Sequence, residues 1–401
     1  MDRISSITIS GFRSIESLEL ELDGLVVLIG ENGTGKSSIV EAIEILSKAA
    51  RPGSFVSDWL TPYHGNFRDL LRIGSKEMKL GLRIEGEDGT IEYSFTLGPL
   101  GTRATVIGES LKVFDRGEVS AHLNAISRTA ADSKVFDPNT RSIVQANPGP
   151  EQLLLTYFGS GPHVQPALGR VLAALGGTRV HVPFDVRPQW VSEEEQRLTA
   201  LRSPMQVEPA TRLKRLGVNL ASCFKELQDR GAPVRDAVLE DVRAGLGLDV
   251  MEVITPATAR GFIDLAVKFR GLSSPIYSAG LSNGQLTYLA FVALRHLDDA
   301  AQLLAIDEPE LHLHPALLTR CSWLFEALST KYPVILSTHA DTILDVVSNP
   351  AAQVRVCGLD ESRSTRVHRL DPVALAHWRA KFSGLGEIRR AGLTHLVLAQ
   401  T

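Results

Sequence analysis

Cysteine is scarce in this 401-residue chain. The three present, Cys223, Cys321 and Cys357, lie far apart and form no CxxC pair. That spacing argues against a zinc knuckle or a disulfide framework and fits reduced thiols in a cytoplasm. No apolar run approaches the ~20 residues needed to span a bilayer. The opening Met-Asp-Arg-Ile-Ser-Ser lacks the basic-then-apolar pattern of a secretory signal. A soluble chain with no membrane role of its own is expected. Charge of one sign is lacking too: the net charge is −4, with 44% hydrophobic and 22% charged residues. This balance is that of a globular protein; it excludes a polycation and leaves room for a local basic face. No heptad run long enough for a coiled-coil arm occurs, and no internal repeat. The length allows two or three folded units of ~100–200 residues.

What is present reads first as strands. Ile4 to Ile9 is a short β run, and Ile15, Leu18, Leu20 and Leu22 mark a second strand. Leu25-Val26-Val27-Leu28-Ile29 is continuously apolar, as a strand covered on both faces must be. A glycine-rich turn follows, and then Ile39, Ala42, Ile43, Leu46 and Ala49 fall at helical spacing. Met78 to Ile84 and Ile91 to Leu97 alternate on either side of Glu87-Asp88-Gly89, which predicts an antiparallel hairpin. Helical stripes occur at Leu213, Leu216, Leu220, Phe224 and Leu227, and at Val234, Val238, Val242 and Leu246. Residues 111–246 are therefore expected to be a mostly helical insertion between lobe I (1–110) and lobe II (247–401). In lobe II, Ile263 to Phe269 alternates as a strand, Gly284 to Leu297 reads as a helix, and Leu303–Ile306 and Val334–Leu336 read as buried strands. Strands alternating with helices imply a parallel sheet with both faces covered.

Gly30-Glu31-Asn32-Gly33-Thr34-Gly35-Lys36-Ser37-Ser38 contains GxxxxGK[ST] between a buried strand and a helix. Glycines let the backbone wrap phosphate oxygens with its N–H groups, and the helix N-terminus adds partial positive charge. Lys36 is expected to reach the β- and γ-phosphates of ATP, and the Ser37 hydroxyl to ligate Mg²⁺. Leu304-Ala305-Ile306-Asp307-Glu308 delivers two carboxylates at the end of an apolar strand. Asp307 is expected to hold Mg²⁺ and Glu308 to orient the attacking water. Leu281-Ser282-Asn283-Gly284-Gln285 opens the preceding helix, with Ser282 placed as its N-cap. Ser337-Thr338-His339 follows a buried strand.

This order of motifs resembles the ABC superfamily. Residues 281–285 differ from its LSGGQ signature by Asn283 alone, and His339 stands at the switch histidine, whose N–H senses a γ-phosphate. Ser10-Gly11-Phe12-Arg13-Ser14 resembles the start of RecF- and SMC-like heads, in which the arginine approaches the phosphates; Arg13 is carried over in that role. The run Asp307 to Pro315 is similar to that of overcoming-lysogenisation-defect (OLD) ATPases, and Glu310, Leu311 and His312 then occupy the D-loop. The resemblance implies an α/β ABC head, with a parallel core sheet, an antiparallel β subdomain and the insertion. It implies a homodimer in which the signature of one subunit closes on ATP held by the other. Two features depart from it. A Q-loop glutamine is not identifiable, His64 standing nearby as a loop histidine, and the ~60 residues after His339 carry no Toprim metal set.

The object of such a clamp stays open at this level. Lys214, Arg215, Lys225, Arg230, Arg235 and Arg243 could face DNA phosphates, although Glu226, Asp229, Asp236, Glu240 and Asp241 are interspersed, as on a solvated helical surface. Duplex DNA in repair or genome maintenance is the first expectation. Control of a partner effector, a nuclease or toxin in phage defence, is the second. A transporter ATPase is the weakest, because of the insertion and the Gly-Phe-Arg start.

Overall fold

A computed structural model describes residues 2–114, 122–130, 132–158, 166–187, 200–258, 261–379, 381–382 and 384–399. In chain order the strands are β1 (Arg3–Phe12), β2 (Ile15–Glu21), β3 (Leu25–Gly30), β4 (Met78–Gly86), β5 (Gly89–Leu100), β6 (Arg103–Phe114), β7 (His122–Arg128), β8 (Ser133–Asp137), β9 (Ser142–Gln145) and β10 (Thr178–His181). They continue as β11 (Met205–Gln206), β12 (Val250–Ile254), β13 (Phe262–Ile263), β14 (Ala266–Phe269), β15 (Ile276–Tyr277), β16 (Leu303–Asp307), β17 (Val334–Ser337), β18 (Val354–Leu359) and β19 (Thr365–Arg369). Among the described residues, eight form one antiparallel sheet in the order β2-β1-β4-β5-β6-β7-β8-β9. Six form the central sheet, in the order β10-β16-β17-β3-β18-β19, with only β19 antiparallel to its neighbour.

The central sheet separates two apolar cores, and strand periodicity decides which side chain enters which. Leu25, Val27 and Ile29 of β3 join one core, and Val26 and Leu28 join the other. Leu304 and Ile306 of β16 fall in the first, Leu303 and Ala305 in the second. A side-chain period of two sends neighbours to opposite faces, which is why these strands read as unbroken apolar runs. Each such burial contributes about 1.5–3 kcal/mol. Helix Lys36–Lys48 covers the Val26/Leu28 face; helices Asn283–Leu297 and Pro315–Ser329 cover the other.

Residues 111–246 depart from the expected helical insertion. The boundary at 110 falls inside β6, and the antiparallel sheet runs on through β9. β10 joins the central sheet beside β16. The expected helices are present as Leu220–Asp229 and Ala232–Leu246. Leu213 and Leu216, counted in the first stripe, lie in a loop before it. Gly217 at φ +76° and the Asn219 side chain, which accepts from Lys214 N at 2.8 Å and donates to Arg212 O at 2.9 Å, hold that loop out of helical geometry. The strand expected over 263–269 is broken in the middle. There the buried Asp264 accepts from Leu265 N and Ser278 Oγ, each at 2.7 Å.

Candidate active site

β3 ends at Gly30 and helix Lys36–Lys48 begins six residues later, so Gly30 to Gly35 forms a tight loop at the C-terminal edge of the central sheet. Glycine is required there sterically. Gly35 has φ +95°, and a Cβ on it would collide with Thr365 Oγ1 and Ser14 Oγ. A Cβ on Gly30 would strike the Cys357 carbonyl. Thr34 Oγ1 donates to Glu31 O at 2.8 Å and closes the loop, while Glu31, Asn32, Gly33 and Ser37 remain exposed. The buried Lys36 lies across the loop, its Nζ donating to Gly30 O and Glu31 O at 2.9 Å each. Burial pushes its pKa down, and Arg389 pushes the same way. An ammonium held on carbonyls beside an open loop is ready to exchange them for phosphate oxygens.

β17 lies between β3 and β16, and its register places Ser337 opposite both Asp307 and Leu28. The two acidic residues therefore arrive two strands over from the loop, with β17 between. Asp307 Oδ1 accepts from Ser37 Oγ at 3.1 Å and also from Ser337 Oγ. A serine hydroxyl beside a carboxylate, open to a cavity of about 570 Å³, is an all-oxygen set suited to Mg²⁺. Glu308 follows with φ +48°, a left-handed conformation that costs a non-glycine residue free energy and recurs at functional sites. Its N–H is fixed to Ser337 O at 2.8 Å.

Arg13 lines the same cavity, but its guanidinium is engaged elsewhere. It binds Glu41 through two bonds, of 3.0 and 2.8 Å, and Asp69 O at 2.9 Å. His64 joins Glu41 at 3.1 Å. Although burial opposes it, these partners hold the Glu41 carboxyl at about 2. Ser38 lines the cavity beside Ser37.

The residues expected to form a D-loop divide. Glu310 turns to the switch segment, its Oε1 accepting from His339 N at 2.6 Å. Leu311 and His312 are exposed, with His312 at φ +70°. Arg389, in helix Leu385–Arg390, donates to His339 O at 3.0 Å and pairs with Asp341 at 2.7 Å. His339, expected to be the switch histidine, is thus held through its backbone from two sides.

Ser282 caps helix Asn283–Leu297, as expected from sequence. Its Oγ accepts from Gln285 N at 3.2 Å and Gln285 Oε1 accepts from Ser282 N at 2.9 Å, a reciprocal cap. Gly284 packs against His312 O, where a Cβ would sit at 2.9 Å, and Leu281 is buried. Asn283, the departure from the signature pattern, has a partner that the sequence does not advertise. Arg202 is 3% exposed and donates to Val186 O (2.8 Å), Leu281 O (2.7 Å) and Asn283 Oδ1 (2.5 Å), with longer bonds to Ser278 O and Ala279 O. A glycine at 283 would leave that guanidinium one acceptor short.

Residues 3–110 match the AAA ATPase domain family, and residues 261–345 match a family described as AAA domain, putative AbiEii toxin, Type IV TA system. The two matches fall on the two halves of the site just described. In these two segments the chain is similar to RecF- and SMC-like P-loop ATPases. The DNA replication and repair protein RecF of Shewanella loihica is 38% identical over 87 residues, 20% of this chain and 23% of that protein. RecF of Rhizobium meliloti is 28% identical over 142 residues, 33% of this chain and 34% of that protein. The chain thus spans about a third or less of the length of these relatives. Among solved structures, an SMC head bound to the C-winged helix domain of ScpA superposes with TM-score 0.55 at 14% identity, over 92% of this chain and 98% of that one. The SMC head from Pyrococcus furiosus, with an extended coiled coil and bound to the C-terminal domain of ScpA, gives 0.52 at 13%, over 97% and 100%. At such identities the likeness establishes the fold, an ABC ATPase-like head.

Proposed function

We propose that this chain binds Mg-ATP on its own P-loop and hydrolyses it in a homodimer, as an ATP-gated clamp on DNA in repair or genome maintenance. The observation that carries the reading is the convergence of Ser37 and Asp307 at 3.1 Å, with Glu308 next in the chain. Lys36 leaves the loop carbonyls for the β- and γ-phosphates, and backbone N–H groups of Gly33 to Ser38 surround them. Ser37 and Asp307 would hold Mg²⁺, which when bound neutralises charge on the phosphates. Glu308 accepts a proton from the attacking water and His339 donates to the γ-phosphate. Ser282 and Gly284 close on the nucleotide of the other subunit, so loss of that phosphate removes the bridge. Phosphate release by the purified protein, with and without duplex DNA and with Lys36→Ala as blank, tests this. DNA-stimulated release supports it. Release that DNA leaves unchanged removes the DNA half, and none beyond the Lys36→Ala blank removes the hydrolase.

A second reading, a regulatory ATPase that holds or frees a partner effector such as a toxin, draws support from the description of the family matched over 261–345. A pull-down on the Glu308→Gln protein in ATP that recovers no partner would count against it.

A further inference from the structure

A cavity of about 680 Å³ opens between the last turns of helix Lys36–Lys48, strand β10 and the loop before helix Leu220–Asp229. Six cations line it: Lys48, Arg51, Arg179, Arg212, Lys214 and Arg215. Among its described lining residues Glu44 is the sole carboxylate. Glu44 serves both Arg215 (2.8 Å) and Lys48 (3.7 Å). Asp298 pairs with Arg179 at 2.5 Å, and Glu208 with Lys214 at 2.7 Å. Three carboxylates thus face six cations, and among the described residues Arg51 and Arg212 have no carboxylate in salt-bridge range. Burial pushes the pKa of Arg212 down, and repulsion from Arg179 and Arg51 adds to that. His181, buried beside them, is pushed down by burial to about 4 and adds no charge at neutral pH.

An aromatic pair borders the same space. The Arg51 guanidinium sits 4.3 Å from the centre of the Trp59 ring, and Trp59 stacks on Tyr63 at 6.4 Å and 9°. Tyr63 is 60% exposed and lines the cavity. Lys48 lies twelve residues beyond Lys36, roughly 18 Å along the helix at 1.5 Å per residue. The cavity is therefore not the ATP phosphate site. It is continuous with the surroundings of that site, because Glu44, Tyr63, Val180 and Arg215 also line the cavity that contains Ser37 and Asp307.

We propose that this cavity receives a single nucleic-acid strand, with phosphates on Arg51 and Arg212 and a base against Tyr63. The proposal rests on the DNA-directed reading above and places a contact for it. Surplus guanidiniums from two elements call for a ligand with repeated negative charge. The exposed ring distinguishes a strand with free bases from an acidic peptide, which would gain nothing from stacking. A recess, rather than a convex basic face, suits an unpaired strand better than a duplex.

The test is fluorescence anisotropy of the whole chain with a labelled oligothymidylate and with a blunt duplex, across a salt series. The proteins are wild type, Arg51→Ala/Arg212→Ala, Arg212→Ala alone and Tyr63→Ala, with thermal unfolding of each to establish folding. The double variant should weaken single-strand binding at least tenfold and flatten the slope of log K against log salt by about 1.4, at ~0.7 per phosphate lost. The exposed Arg212, replaced alone, should give about half that slope change even if Arg51 proves needed for folding. Tyr63→Ala should weaken it about tenfold with no change in slope. Unchanged affinity and slope in the variants overturn the cavity assignment and leave the DNA reading standing, as does wild-type binding of duplex alone. Wild-type binding of neither probe overturns both. Preference for polyglutamate over the oligonucleotide also overturns the proposal, in favour of an acidic peptide.

Discussion

Replacing Arg202 should separate the two halves of the nucleotide site. In Arg202→Met the side chain keeps its bulk, but Val186 O, Leu281 O and Asn283 Oδ1 lose donors at 2.8, 2.7 and 2.5 Å. Charge-assisted hydrogen bonds contribute about 1.5–3 kcal/mol each. Removing a buried cation that has no carboxylate partner among the described residues returns part of this, since desolvating an ion costs several kcal/mol. The expected net loss of stability is therefore about 3 kcal/mol, read from the midpoint of urea unfolding. Asn283→Gly removes only the bond to Nη2 and should cost about 1–2 kcal/mol. The functional effects should be confined to the signature. Nucleotide affinity of the monomer, set by the P-loop, should be unchanged, while ATP-driven dimerisation should weaken at least tenfold, or about 1.4 kcal/mol, in both variants. Titration with a fluorescent ATP analogue measures the first and light scattering the second. A variant that loses stability as expected yet dimerises like wild type would refute a positioning role for Arg202. Equal loss of monomer affinity would show that the defect is global.

Two further outcomes are expected. Arg389→Ala frees the carbonyl of His339 and should lower turnover about tenfold with little change in ATP affinity, visible as a fall in kcat without a rise in KM. A parallel rise in KM would place Arg389 on the nucleotide instead. The buried Glu109 accepts from Leu154 N, Leu155 N and Tyr93 Oη, yet burial outweighs these donors and raises its pKa from 4.5 to about 7. A carboxyl raised on folding contributes fully below 4.5, and its contribution is lost as pH rises through about 7; on the order of 3 kcal/mol should disappear across that window. Glu109→Gln should flatten the unfolding midpoint there, and an unaltered pH profile would refute the assignment.

Elements whose local pattern matches their environment were legible in the sequence. The β3 run, the glycine loop and the acidic end of β16 state their structure directly, because burial on both faces and phosphate-loop sterics each impose a residue pattern. β7 to β9 did not announce themselves. β9 is exposed along its whole length and β8 buries only Val135 and Asp137, so neither carries a clean alternation. Leu213 and Leu216 copied a helical spacing that Gly217 and Asn219 override. Residues that act through tertiary contact were the hardest to find. Arg202 reaches Asn283 across 81 positions and Arg389 reaches His339 across 50; neither has a motif around it. The one available signal was Asn283, a polar residue at a glycine position of the signature, which required a partner. Arg13 was legible as part of the cavity but not in its bond to Glu41, which forms across 28 residues.

In the proposed cycle, ATP joins two copies through the P-loop of one and Ser282 of the other. Light scattering of Glu308→Gln with and without ATP tests it most directly, with Ser282→Arg in the same background as control. The expected result is a monomer without ATP, a stable dimer with it, and a monomer throughout once Ser282 is replaced. A Glu308→Gln protein that binds ATP and stays monomeric, or that dimerises regardless of Ser282, would rule out an ATP sandwich of this geometry.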